Sequence, residues 1–102
     1  MTKLPKTIKI GGFTWTVEQD AKVAFEGNVY GSTHHGTQTI FLDPTLTEQK
    51  KWQTLFHETI HAVYWQCGLS KDKAIPNDSE EKIIHVLSMG MYQVLKDNDI
   101  IH

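Results

Sequence analysis

Residues 52–63 of this chain are W-Q-T-L-F-H-E-T-I-H-A-V. Apolar residues recur in this stretch at steps of three and four, which is the spacing of one side of an α-helix. The predicted core face of the helix consists of Trp52, Leu55, Phe56, Thr59, Ala62 and Val63. His57 and His61 are four residues apart and therefore share a different side of the same helix.

Signals on both sides of this stretch set the limits of the helix, which is predicted over residues 45–67. Thr45 with Glu48 fits a capping box at its start, and Thr47 is an alternative N-cap. Gly68 is the expected residue just beyond its end, where a left-handed conformation favours glycine.

The part before the helix, residues 6–43, has the pattern of β structure. Ile8 and Ile10 precede the turn signal Gly11–Gly12, and the alternating residues 13–18 follow it, so a hairpin is expected. Further strands are predicted around residues 29–31 and over residues 37–42, the second rich in β-branched and aromatic side chains.

A polar connection over residues 70–78 leads to a second predicted helix, residues 79–97, followed by a short tail at 98–102. The predicted apolar stripe of this helix is Ile84, Leu87, Met91 and Leu95. The fold class is therefore α+β, with a small antiparallel N-terminal sheet of about three to four strands packed against two C-terminal helices. One domain spans residues 1–102.

Composition excludes several classes of protein. A formal net charge of −2 and a pI near 6.3 give no electrostatic reason to expect nucleic acid or an anionic membrane as a partner. Cys67 is the only cysteine, so no intrachain disulfide can form. Residues 1–10 lack a continuous apolar run, and no stretch has the length of a membrane span. A cytoplasmic protein is expected.

The segment His57-Glu58-Thr59-Ile60-His61 is an H-E-x-x-H signature. On a helix both imidazoles can bind one metal ion, while Glu58 is placed to act as a general base. Imidazole and carboxylate ligands favour Zn²⁺, and a catalytic zinc site keeps three protein ligands and one open position. A third ligand must therefore come from another part of the chain.

Glu80 and Glu81 begin the second helix, which a short connection can fold back against the first. Helical phase puts Glu80 near the middle of the predicted apolar stripe and Glu81 at its edge. A ligand at the edge can reach sideways to the neighbouring helix, and it would have His85 one turn away on the same side. The pattern of residues leaves both glutamates open as ligands.

Together, H-E-T-I-H and the downstream E-K-I-I-H-V-L-S-M-G-M-Y-Q-V-L-K-D-N resemble the small phage- and prophage-encoded metallopeptidases related to the ImmA/IrrE peptidases. In size and layout the chain is also similar to the single-domain minigluzincins. The resemblance covers about the last two-thirds of the chain. It implies a zincin-like fold and zinc-dependent hydrolysis of peptide bonds in a protein or peptide substrate.

In gluzincins a glutamate on a helix after the H-E-x-x-H is the third ligand, often followed four positions later by a polar residue. The resemblance therefore implies Glu81 as ligand, with Glu80 as the alternate, and His85 in the position that usually holds Asp or Asn. It also implies that an extended substrate pairs with an edge strand, either the one ending at Leu42 or the one at Tyr30.

Other side chains are candidates for stabilising an oxyanion, or alternatively belong to the core or to exposed loops: His85, Tyr64, Tyr92 and the pair His34–His35. The competing functional hypothesis is a zinc-stabilised phage protein that binds a partner without turnover. The sequence indicates neither the substrate nor the oligomeric state.

Overall fold

The computed structural model describes residues 3–23, 29–71, 75–76 and 79–98. Its strands are β1 (Thr7–Ile10), β2 (Phe13–Gln19), β3 (Gly31–His34) and β4 (Thr39–Leu42). Its two long helices are α1 (Glu48–Gln66) and α2 (Glu80–Asp97), and a single 3₁₀ turn, Leu69–Lys71, follows α1. The predicted α+β class is confirmed. The predicted tail beyond Asn98, and parts of the predicted loops at 24–28, 72–74 and 77–78, lie outside the described residues.

The four strands form one mixed sheet in the order β1-β2-β4-β3. The β1–β2 hairpin turns at Gly11 and Gly12, whose positive φ angles of 58° and 85° suit a two-residue primed turn. β3 and β4 are also antiparallel, but β2 and β4 are parallel, so the prediction of a wholly antiparallel sheet was wrong. The reason is that the chain first crosses to the far edge to form β3 and then returns to place β4 beside β2.

The core lies between one face of the sheet and α1. Strand residues contribute Ile10, Trp15, Ile40 and Leu42, and α1 contributes Trp52, Leu55 and Ala62. Phe56 packs against this cluster and Thr59 is half-buried, in agreement with the predicted core face. Val63 is exposed, so its assignment to that face was wrong.

The start of α1 is fixed by two neighbouring hydrogen-bonded turns. Thr47 is the N-cap, and its hydroxyl accepts a hydrogen bond from the backbone N–H of Lys50. Thr45 instead donates two hydrogen bonds to the Asp43 Oδ1, from its backbone N–H at 2.9 Å and from its hydroxyl at 2.8 Å. These hydrogen bonds lower the pKa of the Asp43 carboxyl. Of the two predicted caps the structure therefore has Thr47, and the helix starts three residues later than predicted. At its other end, Gly68 has a φ of 78°, as predicted.

α2 packs against α1 through a narrow face. Ile84 and Ser88 are buried, and Tyr92 and Leu95 are half-buried. Leu87 and Met91 are exposed, so the predicted stripe was wrong for these two residues. The buried face is rotated relative to the prediction because a serine, which does not count as apolar in a sequence pattern, occupies its centre.

β3 approaches α1 closely at Gly31. A Cβ atom there would lie 2.8 Å from the Thr54 side chain and 2.9 Å from the Phe41 carbonyl oxygen. Because strand backbone lies on one side and α1 on the other, the neighbouring atoms have little room to move away from an added methyl group. Glycine is therefore required at this position by the contact between strand and helix.

We predict that Gly31→Ala lowers the free energy of unfolding by about 1–3 kcal/mol, because it overpacks the contact between β3 and α1. Gly36→Ala is the matched control, since nothing lies within 4 Å of its Cβ position, and it should change stability by less than about 0.5 kcal/mol. Urea unfolding followed by tryptophan fluorescence measures both. Equal stabilities for the two variants would contradict the described packing.

Candidate metal centre

The side of α1 that does not enter the core carries the H-E-x-x-H residues. His57 and His61 lie one helical turn apart, with ring centroids separated by 4.9 Å. Their side chains are only 15% and 18% exposed, so both rings are held in place by their surroundings. The sequence-predicted pair is thus presented on one side of a well-anchored helix.

Glu81, in the first turn of α2, reaches both histidines. Its Oε1 lies 2.6 Å from the His57 Nε2, and its Oε2 lies 2.9 Å from the His61 Nε2. One donor atom from each of the three residues lies within 4.8 Å of the others. This arrangement of two imidazoles and one carboxylate could hold a metal ion.

The three donors are of the kinds that bind transition-metal ions. Two imidazole nitrogens and one carboxylate oxygen are a ligand set found in catalytic zinc sites, in which ligand atoms of a tetrahedron stand about 3.3 Å apart. The two contacts of Glu81, at 2.6 and 2.9 Å, are shorter than that value and use different carboxylate oxygens, so the Glu81 side chain would have to move for one oxygen to bind a metal ion. Because that side chain is 67% exposed, it has room to move.

Glu80 has a different place from Glu81. Its Oε2 lies 3.0 Å from the Nδ1 of His61, the nitrogen on the far side of the ring from Glu81. A carboxylate on Nδ1 fixes the tautomer and orientation of a histidine whose Nε2 faces a metal, and raises its basicity. Glu81 is therefore the carboxylate in the group that could hold a metal ion, and Glu80 contacts the other ring nitrogen of His61.

Glu58 is buried between α1 and β3. The hydroxyl of Thr33 lies 2.8 Å from the Glu58 Oε1, and the Oε2 is 4.0 Å from the His57 Nε2. Burial raises the pKa of the Glu58 carboxyl above its usual range, while the Thr33 hydrogen bond and the two imidazoles act in the opposite direction. Glu58 is thus a partly desolvated carboxyl beside the three donors.

These groups line a cleft of about 700 Å³, a size typical of ligand sites. Gly31 and Tyr30 form the wall on the β3 side. Lys50 is the only Lys or Arg among the described lining residues; its ammonium lies 4.9 Å from the centroid of the Tyr30 ring and 2.9 Å from the Gln53 Oε1. The remaining lining residues are Val29, Thr54, His57, Glu58, His61, Glu81 and His85.

Of the side chains considered from the sequence for stabilising an oxyanion, only some lie near the cleft. His85 lines the cleft, with its ring centroid 6.2 Å from that of His57. Tyr64 is buried, and Tyr92 is half-buried with its ring 6.3 Å from Phe56; neither lines the cleft. The structure therefore keeps His85 near the donors and places both tyrosines in packing positions.

His34 and His35 also lie outside the cleft. His34 is exposed, with its Nε2 3.2 Å from the Ser32 hydroxyl. His35 stacks on Trp65 at 4.5 Å and meets the edge of Trp15. Burial lowers the pKa of His35, and the charge of His61 adds to that effect.

The sequence did not indicate Thr33, and it indicated Glu80 as a candidate without its contact to His61. Thr33 gave no signal, because a threonine in a strand is ordinary, and its partner Glu58 is 25 residues away. The role of Glu80 was hidden by the incorrect stripe on α2. Counted from the observed face, Glu81 precedes Ile84 and Ser88 by three and seven residues, which places it on the side that faces α1.

Comparison with known proteins gives no relative from which a function could be transferred. No protein-family model, curated protein or solved structure matches this chain. Among the described residues, no helix is long and apolar enough to cross a lipid bilayer. The function must therefore be inferred from the cleft and its side chains.

The different places of Glu80 and Glu81 predict different losses of metal affinity. We expect Glu80→Ala to weaken zinc binding by about 10–100-fold, as removal of an orienting carboxylate does, and Glu81→Ala to weaken it by more. Competition with a chromogenic chelator measures both. Glu48→Ala, at an exposed position in the first turn of α1, serves as the control. Wild-type zinc affinity in Glu81→Ala, with loss in Glu80→Ala, would make Glu80 the third ligand.

Proposed function

We propose that this protein is a zinc-dependent metallopeptidase of the gluzincin type, in which His57, His61 and Glu81 hold the metal and Glu58 is the general base. One observation carries the proposal: a buried carboxyl, Glu58, lies beside a group of two imidazoles and one carboxylate at an open cleft. A site that only needed to bind metal would have no use for this fourth group.

The choice of zinc depends on the donors. Two neutral nitrogens and one carboxylate oxygen suit zinc better than calcium or magnesium, which prefer oxygen ligands. Zinc held there would supply a Lewis acid that lowers the pKa of a bound water and polarises a substrate carbonyl group. The chain's own residues must then orient these groups and move the proton.

Glu58 is suited to moving that proton. Burial raises the pKa of this carboxyl towards neutral pH, and a group with a pKa near neutral can both accept and return a proton. The carboxylate would take a proton from the attacking water and deliver it to the leaving amine. Thr33 would hold the carboxylate during both transfers, since its hydroxyl contacts the Oε1 and leaves the Oε2 directed towards His57.

The proposed substrate is an extended segment of a protein or peptide. β3 and β1 are the two edge strands of the sheet, whereas β4 lies between β2 and β3 and has no unpaired edge. Gly31 and Tyr30 place the β3 edge along the cleft. Of the two strands considered from the sequence, we therefore assign substrate pairing to β3. The proposed setting is the cytoplasm, that of the bacterial host if a phage or prophage encodes the chain.

The competing function is a zinc-stabilised module that binds a partner in the same cleft without hydrolysis. The open cleft and the small domain are compatible with such a role. Glu58 separates the two functions, because a structural metal site does not require a general base. The same residue therefore provides the decisive experiment.

We predict that Glu58→Gln binds zinc as the wild type does. Its rate of peptide hydrolysis should fall by about 10²–10⁴-fold, because the amide cannot accept the proton. A diverse peptide library incubated with the zinc-loaded protein, with new termini read by mass spectrometry, measures the activity. Glu48→Gln controls for the loss of an exposed carboxylate.

Undiminished cleavage by the zinc-loaded Glu58→Gln protein would contradict the proposed mechanism. If neither the wild type nor the variant hydrolyses any peptide, while both bind zinc and the same protein partner, the competing binding function is supported instead. The two functions are thus separated by measurements on the same pair of proteins.

Thr33 provides a second test of the proposed machinery as a positioning residue. We expect Thr33→Val to reduce kcat by about tenfold, with KM and zinc affinity little changed, because the Glu58 carboxylate loses its orienting hydrogen bond. Thr33→Ser keeps the hydroxyl and should restore most of the rate. A Thr33→Ser variant as slow as Thr33→Val would show that the methyl group, and not the hydrogen bond, matters.

A further inference from the structure

Lys50 places a positive charge at one end of the cleft that contains the candidate metal donors. It lies in the first turn of α1, seven residues before His57, so two helical turns separate two residues on the same side of the helix. Along this side the cleft is lined in order by Lys50, Gln53, Thr54 and His57. The cleft therefore extends along α1 from a lysine to the metal donors.

The ammonium group of Lys50 is held by neutral partners. Its Nζ lies 2.9 Å from the Oε1 of the buried Gln53 and 4.9 Å from the centroid of the Tyr30 ring. The next residue, Lys51, pairs with Glu48 at 3.6 Å, but no carboxylate of the described residues forms an ion pair with Lys50. The described part of the chain thus orients this half-buried charge without neutralising it.

We propose that Lys50 binds a carboxylate of the substrate, so that the protein prefers peptides with an acidic group roughly three residues from the bond that is cleaved. This inference rests on the proposed peptidase function and adds a class of substrate to it. The carboxylate belongs either to an Asp or Glu side chain or to the C-terminus of the peptide.

The length of the cleft sets the position of the acidic group. The helical residues between Lys50 and His57 span about 10 Å along the axis of α1, and an extended peptide covers that distance in roughly three residues. The lysine side chain is a flexible four-carbon stem, which can shift the position by about one residue.

β3 lies beside α1 and runs in the same direction. At its start Tyr30 contacts Lys50, and further along Thr33 contacts Glu58. The edge strand therefore connects the surroundings of Lys50 to those of the general base. A peptide that pairs with this strand passes both groups.

The pairing of β3 with β4 shows which backbone groups are available to such a peptide. The Tyr30 carbonyl accepts a hydrogen bond from the backbone N–H of Asp43, on the β4 side. Because successive residues of a strand direct their backbone groups to alternate sides, those of Gly31 and Thr33 face the open edge. A peptide bonded to Gly31 and Thr33 has one end directed towards Lys50.

The position of Lys50 in α1 also favours an anion. The N-terminal end of a helix carries a partial positive charge, so a lysine in the first turn is locally unfavourable and a carboxylate bound beside it is favourable. Glu58 and Glu81 together balance the charge of a bound divalent metal ion. Among the described lining residues, Lys50 is then the charge that a substrate must balance.

Cleavage profiling of the zinc-loaded full chain tests the proposal. A peptide library with amidated C-termini is digested, and mass spectrometry of the new termini aligns every sequence on the bond that was cut. We expect Asp and Glu to be enriched about three- to tenfold at one position about two to four residues from that bond. In the same library with free C-termini, cleavage at that fixed distance from the chain end would identify the terminal carboxylate as the bound group.

Variants of Lys50 test whether its charge causes the preference. Lys50→Met should abolish the enrichment, Lys50→Arg should retain it, and Lys50→Glu should replace it by an enrichment of Lys and Arg at the same position. Lys9→Met is the matched control, because Lys9 is an exposed lysine of β1, outside the cleft, and its loss should leave the profile unchanged. Zinc affinity and thermal unfolding of each variant show that the fold is intact.

Peptide binding separates this inference from the proposed hydrolysis. Immobilised zinc-loaded Glu58→Gln protein should retain peptides without cutting them. It should hold peptides that contain Asp or Glu about three- to tenfold better than their Asn or Gln counterparts. The double variant Glu58→Gln/Lys50→Met should hold both kinds equally.

Two cleavage results would overturn the inference while leaving the proposed function in place. One is hydrolysis with no dependence on an acidic side chain or a free C-terminus, and the other is a preference that Lys50→Met and Lys50→Glu leave unchanged. If the wild type cleaves no peptide, the proposed function fails and the binding measurement alone decides the role of Lys50. Equal retention of acidic and amide peptides by Glu58→Gln would then overturn it.

Discussion

The packing of α1 against one face of the sheet is the contact on which the rest of the molecule depends. Leu55 and Ala62 enter the core together with Trp15 and Ile40 from the strands, and this burial fixes the rotation of α1 about its own axis. Once the rotation is fixed, the histidine pair and Glu58 can face only the cleft. The same apolar contact therefore supplies stability and aims the polar side chains, as expected where a rigid element supports a site.

α2 is attached to this unit by far fewer buried side chains. Few of its side chains are buried, and its first turn carries Glu80 and Glu81, whose contacts with the two histidines join it to α1. Negative charge in the first turn of a helix is favourable because it complements the helix dipole. The two glutamates thus stabilise the start of α2 and, at the same place, meet the imidazoles, so local and tertiary preferences agree.

Much of this arrangement could be predicted from the sequence, for reasons of periodicity. The β1–β2 hairpin, the limits of α2 and the shared face of His57 and His61 follow from short-range patterns and turn residues. The predictions that failed concern contacts between residues that are far apart in the sequence. Val63 has the phase of the core face but is exposed, and the parallel β2–β4 pair requires a chain crossing that no local pattern records. The contacts of Thr33 and Glu80 each join separate elements.

The position of β3 at the edge of the sheet has one more consequence. This four-residue strand has a free outer edge, and its Thr33 side chain holds the Glu58 carboxylate at 2.8 Å. A chain that pairs with the outer edge restrains the backbone of β3 and, through a single hydrogen bond, restrains the carboxylate as well. Under the proposed function, substrate binding and proton transfer would then be mechanically linked, because a substrate paired with this edge would restrain the orientation of Glu58.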